Sequence, residues 1–289
     1  MNIRAVRKKI KSIKNVRKIT KAMQMVSAVK MRKAQQLELE SRPYRDGLTE
    51  LIGKVMKKVD PTLSSLLQVD TSKAEKRLVI LVSSNKGLAG SFNVNVFRFA
   101  LKSIPDLKKV DFVTVGNKGS QFFGRLKDAT VLADYSGTNL IIESSALFDY
   151  VLAQYQTGKY SSISVIYNSF ISTMRSVPVE KTLLPLSLVD ITTASKSEDE
   201  GGAHELLIEP SAQEILEDLL KSFLENTIRG ALISSEAVEH SARMMAMKSA
   251  TDNATEIMYQ MTLLANRLRQ EKITYELLDM ITAKESVEQ

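Results

Sequence analysis

Apolar residues recur every three or four positions along both ends of the chain, which is the spacing that places side chains on one face of an α-helix. Residues 2–42 contain no proline and no glycine, and Gly230 is the only such residue from Ser211 to Lys284. At about 1.5 Å per residue, these stretches predict helices of roughly 60 Å and 110 Å. A compact domain cannot bury helices of that length, so we expect them to lie against each other and form a shaft or lever rather than a catalyst.

The first helix is predicted to bury one narrow apolar stripe. The stripe comprises Ile3, Val6, Ile10, Ile13, Val16, Ile19, Met23 and Val26. Its steps of three and four are those of a coiled-coil seam, but the successive threes from Ile10 to Ile19 depart from a heptad, so uniform supercoiling is not expected. Pro43 lacks a backbone donor and is expected to kink or end the helix. The helical pattern then resumes through Leu48, Leu51, Val55 and Val59, before Pro61.

The C-terminal helix has a clear start signal. Ser211 is a predicted N-cap, with Glu214 three residues later completing a capping box. Its apolar stripe comprises Ile215, Leu216, Leu219, Leu220, Phe223 and Leu224, and farther out Ile257, Met261, Leu264 and Leu268. Between these parts, residues 248–254 are small or polar, which would let two helices approach closely.

The middle of the chain alternates between predicted strands and helices. Strands are predicted at Leu78–Val82, Val110–Val115, Ile163–Tyr167 and Val177–Leu184, and helices at Ser91–Ser103 and Glu143–Gln156. This alternation indicates a small α/β layer domain with a mostly parallel sheet. Residues 192–203, rich in serine, glutamate and glycine, are predicted to form a loop.

Charge is distributed unevenly along the chain. Residues 1–37 carry twelve basic side chains and no acidic one. Because the net charge of the whole chain is +7, the other 252 residues have a net charge of −5. Residues 197–220 hold eight acids and no lysine or arginine. A basic helix on an otherwise acidic protein favours one acidic partner. Nucleic acid is the alternative, but the helix has no aromatic residue before Tyr44 for base stacking, and no nucleic-acid-binding motif accompanies it.

Composition narrows the class of protein further. No apolar run approaches the length of about 20 residues that spans a bilayer, so membrane association is expected to be peripheral. The chain has no cysteine, which excludes disulfides and thiolate metal sites. The basic N-terminus resembles an organelle transit peptide, but its helical pattern continues without a break to Arg42, which favours a structural helix. Eleven of the twelve methionines lie in the terminal segments, where they indicate either adaptable packing or an apolar surface that repacks against changing neighbours.

Two glycine-containing turns are candidates for phosphate binding. Residues 85–90, Asn-Lys-Gly-Leu-Ala-Gly, follow a predicted strand and precede a helix, as phosphate loops do, but fit neither a dinucleotide fingerprint nor a P-loop. Gly116, Gly119 and Gly124 form a second such turn, also with the wrong spacing. Both are better interpreted as tight turns. His204 and His240 have no partners at metal-ligand or triad spacing, so no catalytic residue, cofactor or metal is predicted.

Several motifs together resemble the γ subunit of F-type ATP synthase. They are ITKAMQMVS (19–27), KMRK (30–33), GLAG (87–90), EPS (209–211), RMMAMKSATDN (243–253) and LANRLRQEKITYEL (264–277). The resemblance covers essentially the whole chain, and the terminal motifs are the specific ones. It implies a mixed α+β and α/β fold, in which the N- and C-terminal helices form a long antiparallel coiled coil and the middle forms a small Rossmann-like domain. The implied parts are residues 1–60 and 211–286 as coiled coil, 75–190 as the α/β foot, and 191–210 as an acidic loop with a short strand.

The resemblance implies a non-catalytic rotor. In this family the coiled coil turns inside a ring of three α and three β subunits, and the foot rests on the membrane ring of c subunits with the ε subunit. Proton flow turns the rotor, which couples it to ATP synthesis or hydrolysis in β and regulates both ATPase activity and proton flow. The basic helix would face the acidic loops of β. No cofactor or nucleic acid is implied.

Site residues follow from the matching motifs. Contacts with β are implied for Met23, Arg243, Arg269, Gln270, Thr274 and Glu276, although Met23 could equally be seam packing. Contacts of the foot with the c ring and ε are implied for Glu209, Gly87 and Gly90.

The chain also departs from the family pattern in places. Ile208 stands where an aromatic residue often precedes Glu-Pro, and Asn85 and Ala89 replace a frequent Asp and Cys. The start at Met1 matches bacterial members, which favours a peripheral location on the cytoplasmic face of the bacterial cell membrane. The competing interpretations, a nucleotide-binding enzyme and a nucleic-acid binder, predict ligand binding by the isolated chain.

Overall fold

The computed structural model describes residues 3–56, 59, 66–67, 76–137, 140–186, 208–209 and 211–287. The chain divides into two compact units. The terminal unit consists of Met1–Ala28 and Arg243–Gln289, and the central unit of Val29–Ala242. Pro61 and the predicted loop at 192–203 lie outside the described residues. The predicted domain boundaries near 60, 75, 190 and 210 also fall there and stay predictions.

Five α-helices and five strands are assigned in the described residues. In chain order they are α1 (Ile3–Met56), β1 (Lys76–Val82), α2 (Phe92–Ser103), β2 (Val110–Val115), α3 (Asn117–Phe123), β3 (Thr130–Tyr135), α4 (Leu140–Gln156), β4 (Tyr160–Ser172), β5 (Arg175–Leu184) and α5 (Ala212–Val287). A short 3-10 turn, Leu107–Lys109, precedes β2. In this described part, no helix is both long enough and apolar enough to cross a membrane.

Helix α1 continues through Pro43 as far as Met56. The helix therefore does not end at Pro43, and the alternative prediction, a kink at this residue, stays a prediction. A proline inside a helix costs about 3 kcal/mol because it removes one hydrogen bond and crowds the preceding turn. Beyond it, Leu48, Ile52 and Val55 are buried in the core of the central unit. Each such side chain contributes roughly 1.5–3 kcal/mol on burial, so this packing outweighs the cost of the proline.

Helix α5 begins where its cap predicts. The Glu214 backbone N–H donates to the Ser211 hydroxyl over 3.3 Å, which confirms Ser211 as the N-cap. The predicted stripe on the first turns is also confirmed, since Leu216, Leu220 and Leu224 are fully buried. Both helices extend into the two units, and α5 has 76 residues.

The central unit is built on one five-stranded sheet with the order β3-β2-β1-β4-β5. Its first four strands are parallel and β5 runs antiparallel to β4. This arrangement confirms the mostly parallel, Rossmann-like sheet. Strand β2 is buried at every position, as its continuous apolar run requires. Strand β3 was not predicted, because this edge strand alternates between exposed and half-buried residues.

Helices cover both faces of the sheet. One face packs against α4, residues 48–55 of α1 and residues 216–232 of α5. The other face packs against α2 and α3. Alternate residues of β1 divide between these cores, with Leu78 and Ile80 in the first and Val79 and Leu81 in the second.

Helices α1 and α5 contact each other in both units. In the terminal unit Thr20 contacts Thr251. In the central unit a Cβ placed on Gly230 would lie 3.4 Å from the Arg45 Nη1. Helices α1 and α5 are therefore neighbours within each of the two units.

Candidate functional site

A set of buried or half-buried residues recurs along α1 at alternating steps of three and four. They are Ile3, Val6, Ile10, Ile13, Arg17, Thr20, Gln24, Ser27, Met31, Ala34, Glu38, Ser41, Arg45, Leu48, Ile52 and Val55. This is the heptad spacing of a coiled-coil seam. The successive threes from Ile10 to Ile19 do not interrupt this spacing, because the buried positions do not follow the apolar residues. The prediction that supercoiling is not uniform stays a prediction.

The apolar stripe leaves the seam after Ile13. Val16, Ile19 and Val26 are 49%, 60% and 59% exposed, so their assignment to the seam was wrong. Thr20 and Ser27, at 9% and 3%, occupy the buried positions instead. Met23 is half-buried. The sequence does contain the spacing of the true seam. Steps of three and four also pass through Thr20 and Ser27, which are small and polar, and not only through the apolar residues.

Small side chains on α5 meet this seam. Thr251, in the predicted close-approach stretch, shares a 2.8 Å hydrogen bond with Thr20. Ala254 is buried at 6% exposure. Two hydroxyl groups in direct contact require the helix backbones to lie close together, which agrees with the prediction for residues 248–254. Ile257 is 43% exposed and does not belong to the buried stripe, whereas Met261, Leu264 and Leu268 are half-buried.

Beyond Leu268, helix α5 has no buried residue in the described part. All residues from Arg269 to Lys284 are exposed. The segment nevertheless carries large apolar side chains with exposures of 48–68%. They are Ile273, Tyr275, Leu277, Leu278, Met280 and Ile281. An exposed apolar surface of this extent is typical of a segment that a partner covers.

Four of the predicted site residues lie on this exposed segment. Thr274 donates its hydroxyl to the Gln270 carbonyl over 3.0 Å, and Glu276 pairs with Lys272 at 3.1 Å. At about 100° per residue, Arg269, Gln270, Thr274 and Glu276 occupy roughly one half of the helix circumference. They can therefore be reached by one partner surface. Their proposed contact with a partner stays a prediction.

Arg243 is only 8% exposed, at the first position of α5 in the terminal unit. A buried guanidinium needs compensating hydrogen bonds or charges. This environment makes Arg243 a structural element of the unit as well as a candidate contact residue.

The Gly87 turn joins β1 to α2 at the carboxyl end of β1. Hydrogen bonds of the Asn85 side chain to neighbouring backbone groups hold it in place. The Asn85 amide donates to the Gly137 carbonyl over 3.0 Å, and its oxygen accepts from the Asn117 N–H over 3.1 Å. A Cβ on Gly87 would have no atom within 4 Å, so nothing approaches this glycine closely. These contacts support the tight-turn interpretation. Gly90, with φ of 56°, allows the left-handed backbone that ends the turn.

Glu209 lies far from this turn within the central unit. It is exposed just before α5 begins, whereas Ala89 packs in the same cluster as Val238 and Phe170. The roughly 25 helical residues that separate Glu209 from Ser234, the hydrogen-bond partner of Phe170, span about 35 Å. The structure therefore does not bring Glu209 together with Gly87 and Gly90.

The histidines offer no metal site in the described residues. His240 is buried beside Glu236, with 3.4 Å between Nε2 and the carboxylate, and His204 lies outside the described residues. No group of three metal-ligating side chains occurs in the part of the chain that the structure covers.

Comparison with known proteins decides the family. The family model described as ATP synthase matches residues 2–287. The ATP synthase gamma chain of Pelotomaculum thermopropionicum is 36% identical over 293 residues, and the match covers 99% of each chain. The chain belongs to the ATP synthase gamma chain family. The gamma chain of Geobacter metallireducens is also 36% identical, over 294 residues and 99% of each chain.

Solved structures agree in fold. A chain of the Euglena gracilis mitochondrial ATP synthase, described with OSCP, F1 and c-ring, aligns with a TM-score of 0.65 and 20% identity, over 99% of this chain and 94% of that one. A central stalk and c-ring structure from Tetrahymena thermophila gives a TM-score of 0.58 and 23% identity, over 80% of this chain and 99% of that one. These identities support the shared fold, a mixed α/β architecture with long terminal helices.

Proposed function

We propose that this chain is the central-stalk rotor of an F-type ATP synthase and is itself non-catalytic. In this proposal its terminal unit turns inside a ring of three α and three β subunits. The rotation couples transmembrane proton flow to ATP synthesis or hydrolysis in β, and the chain thereby regulates both. The observation that carries the proposal, beside family membership, is the exposed apolar end of α5.

The end of α5 fits an enclosed axle. Leu277, Met280 and Ile281 are each more than half exposed, although burial of such side chains is worth roughly 1.5–3 kcal/mol each. A ring that surrounds the helix would supply that burial from all sides. We propose that Arg269, Gln270, Thr274 and Glu276 contact β at this level.

The basic face of α1 supports an acidic partner. Of the twelve cationic side chains in residues 1–37, eleven are exposed and only Arg17 is half-buried. Coulomb attraction between such a surface and acidic loops falls off gradually with distance, so it can persist while the rotor turns. The exposed residues Val16, Ile19 and Val26 add an apolar contact beside Met23, and with Arg243 they form the proposed lower contact with β.

We propose that Glu209 belongs to the foot that contacts the c ring and ε. We propose the same foot contact for Gly87 and Gly90, at a part of the central unit separate from Glu209. The assembled complex would lie on the cytoplasmic face of a bacterial cell membrane, with this chain peripheral.

Co-expression with the α and β subunits of the same source tests the proposal. Native mass measurement of the purified complex is expected to give one copy of this chain for three α and three β. A variant truncated after Arg269 is expected to keep the fold of the remaining chain but to lower ATPase activity or assembly of the complex. The proposal would be overturned if no complex with α and β formed and the isolated chain bound nucleotide or duplex nucleic acid instead.

A further inference from the structure

Charge divides the central unit into two unlike layers. One face of the sheet is covered by residues 92–109 and 117–129, which include α2 and α3 and which we call the α2–α3 layer. This layer carries seven cations and two acids. The opposite layer, α4 with residues 48–55 of α1 and 216–232 of α5, carries three cations and six acids. The α2–α3 layer is therefore the positive side of the central unit.

The cations of the α2–α3 layer are open to solvent. Six of the seven are exposed, and Lys118 is half-buried. The exposed ones are Arg98, Lys102, Lys108, Lys109, Arg125 and Lys127. Both acids lie beside Lys108, since Asp128 pairs with its ammonium group at 3.7 Å and Asp106 accepts a hydrogen bond from its backbone N–H. The acids therefore offset charge at one place in the layer and leave a surplus of cations over the rest.

Exposed apolar side chains lie among these cations. Val94 and Leu101 are 53% and 39% exposed, and their spacing from Arg98 of four and three residues places all three on one face of α2. On α3, Phe122 is 36% exposed, and its ring stacks on Phe97 with the ring centroids 4.6 Å apart. Because Phe97 belongs to the core beneath α2, this stacking holds α2 and α3 side by side. The outer surface of the layer thus combines cations with apolar side chains.

We propose that the α2–α3 layer contacts the surface of an anionic lipid bilayer directly. This inference rests on the proposed rotor function, which by itself brings the chain to a membrane only through the c ring and ε. Anionic headgroups attract lysine and arginine, and apolar side chains enter the boundary between headgroups and acyl chains. The same surface potential repels the acidic layer on the opposite face, so it orients the central unit with α2 and α3 toward the lipid.

Rotation favours lipid over a stationary protein as the partner of this layer. A fluid bilayer presents anionic headgroups at every angle, so the contact is kept throughout a turn. Lysine and arginine carry their charge at the end of a flexible stem, which lets each of them exchange one headgroup for the next. A contact of this kind holds the central unit near the membrane without resisting its rotation.

Sedimentation with lipid vesicles tests the contact in the complex of this chain with α, β and ε. The complex is used because the exposed cations of α1 would bind anionic vesicles in the isolated chain, whereas the proposed ring encloses α1. The complex is expected to sediment with vesicles of phosphatidylcholine mixed with phosphatidylglycerol, and not with phosphatidylcholine alone. The double variant Arg98→Gln with Arg125→Gln is expected to weaken this binding by roughly 30-fold at low salt, at about fivefold for each cation.

The double variant Lys54→Gln with Lys221→Gln is the matched control. It removes the same charge from the opposite layer, where Lys54 pairs with Glu50 and Lys221 pairs with Glu217, each one turn away on the same helix. Exposed pairs of this kind add little to stability, so the control is expected to fold and assemble normally. Its binding to the anionic vesicles is expected to equal that of the wild type.

The outcomes separate this inference from the rotor proposal. If the complex assembles but does not bind the anionic vesicles, or if Arg98→Gln with Arg125→Gln binds them as well as the wild type, the lipid inference is wrong and the rotor proposal stands. The same holds if the matched control loses binding equally. Binding that occurs only when ε is left out would show that a protein covers the α2–α3 layer, which would also overturn the inference. Failure of the wild-type chain to assemble with α and β would overturn both.

Discussion

The hydroxyl oxygens of Thr20 and Thr251 lie 2.8 Å apart across the seam of the terminal unit. Each is also placed to donate to its own helix, Thr20 to the Arg17 carbonyl and Thr251 to the Met247 carbonyl. A hydroxyl has one proton, so at any moment one threonine donates across the seam while the other donates to its own backbone. A polar pair at a seam position fixes the register of two helices at some cost in stability.

Replacing Thr20 by valine is expected to cost about 0.5–1.5 kcal/mol, since it keeps the shape and removes one hydrogen bond. The double variant Thr20→Val with Thr251→Val is expected to recover most of that loss, because no hydroxyl is left in the seam. Amide hydrogen exchange of residues 17–27, followed by mass spectrometry, measures the local stability. Additive losses in the double variant would show that the two hydroxyl groups are not coupled.

Exposure along α1 predicts effects of different size for two apolar residues of the same stripe. Val6→Ala is expected to destabilise the helix pair by about 1–3 kcal/mol, because Val6 is 0% exposed. Ile19→Ala is expected to change stability by less than about 0.5 kcal/mol in the isolated chain, since Ile19 is 60% exposed. Hydrogen exchange on the isolated chain tests both. Assembly of the same two variants with α and β is the second measurement. Only Ile19→Ala is expected to weaken assembly while the isolated chain keeps its fold.

The sequence predicts the buried part of the fold well, because burial leaves a strong pattern. Strand β2 matches its predicted range to the residue, and all of its positions are buried. Strand β3 leaves no such pattern, since one side of it is an open edge among the described strands and half of its residues face water. Pro43 misleads because its local cost is offset by packing of Leu48 and Ile52, which are distant in sequence from the residues they contact.

The candidate site is harder to predict for a related reason. An apolar residue on a helix can face its helix partner or an outside partner, and periodicity alone does not distinguish the two. Ile13 and Ile19 are equally apolar, yet only Ile13 follows the seam. The decisive residues are Thr20 and Ser27, whose small size allows the helices to approach, and they carry little hydrophobic signal. The exposed position of Met174, in the turn between β4 and β5, depends on strand pairing, which single-sequence reasoning does not specify.

Asp111 is expected to make the central unit sensitive to acid. Burial by itself would raise its pKa, but hydrogen bonds from Lys76, Tyr160 and Lys159 outweigh burial and hold the pKa below its ordinary value of 3.8. A carboxyl group whose pKa is lowered by folding adds stability that is present above the unfolded value and lost as the pH falls below it. Urea unfolding of the wild type between neutral pH and about pH 3 is therefore expected to show a loss of stability, part of which is absent in Asp111→Asn.

The Asp111→Asn variant is also expected to be less stable at neutral pH, by about 1–3 kcal/mol, because the carboxylate is 1% exposed and both lysines lose their partner. Lys76 and Lys159 are about half exposed and can turn to water, which limits the cost. Asp128→Asn is the matched control, since Asp128 forms only an exposed pair with Lys108. An acid dependence of Asp111→Asn equal to that of the wild type would show that other carboxyl groups cause it.

Two glycines of the central unit predict opposite effects of the same substitution. Gly116 follows β2 with φ of 100°, and a Cβ there would lie 2.2 Å from the Ser83 carbonyl oxygen, which is backbone and cannot move aside. Gly116→Ala is therefore expected to cost about 3 kcal/mol or more. Gly47 lies inside α1, and a Cβ placed on it would have no atom within 4 Å, so Gly47→Ala is expected to gain roughly 0.5–1 kcal/mol from helix propensity. Urea unfolding of both variants measures the difference, and equal midpoints would mean that the close approach of Ser83 to Gly116 does not exist in solution.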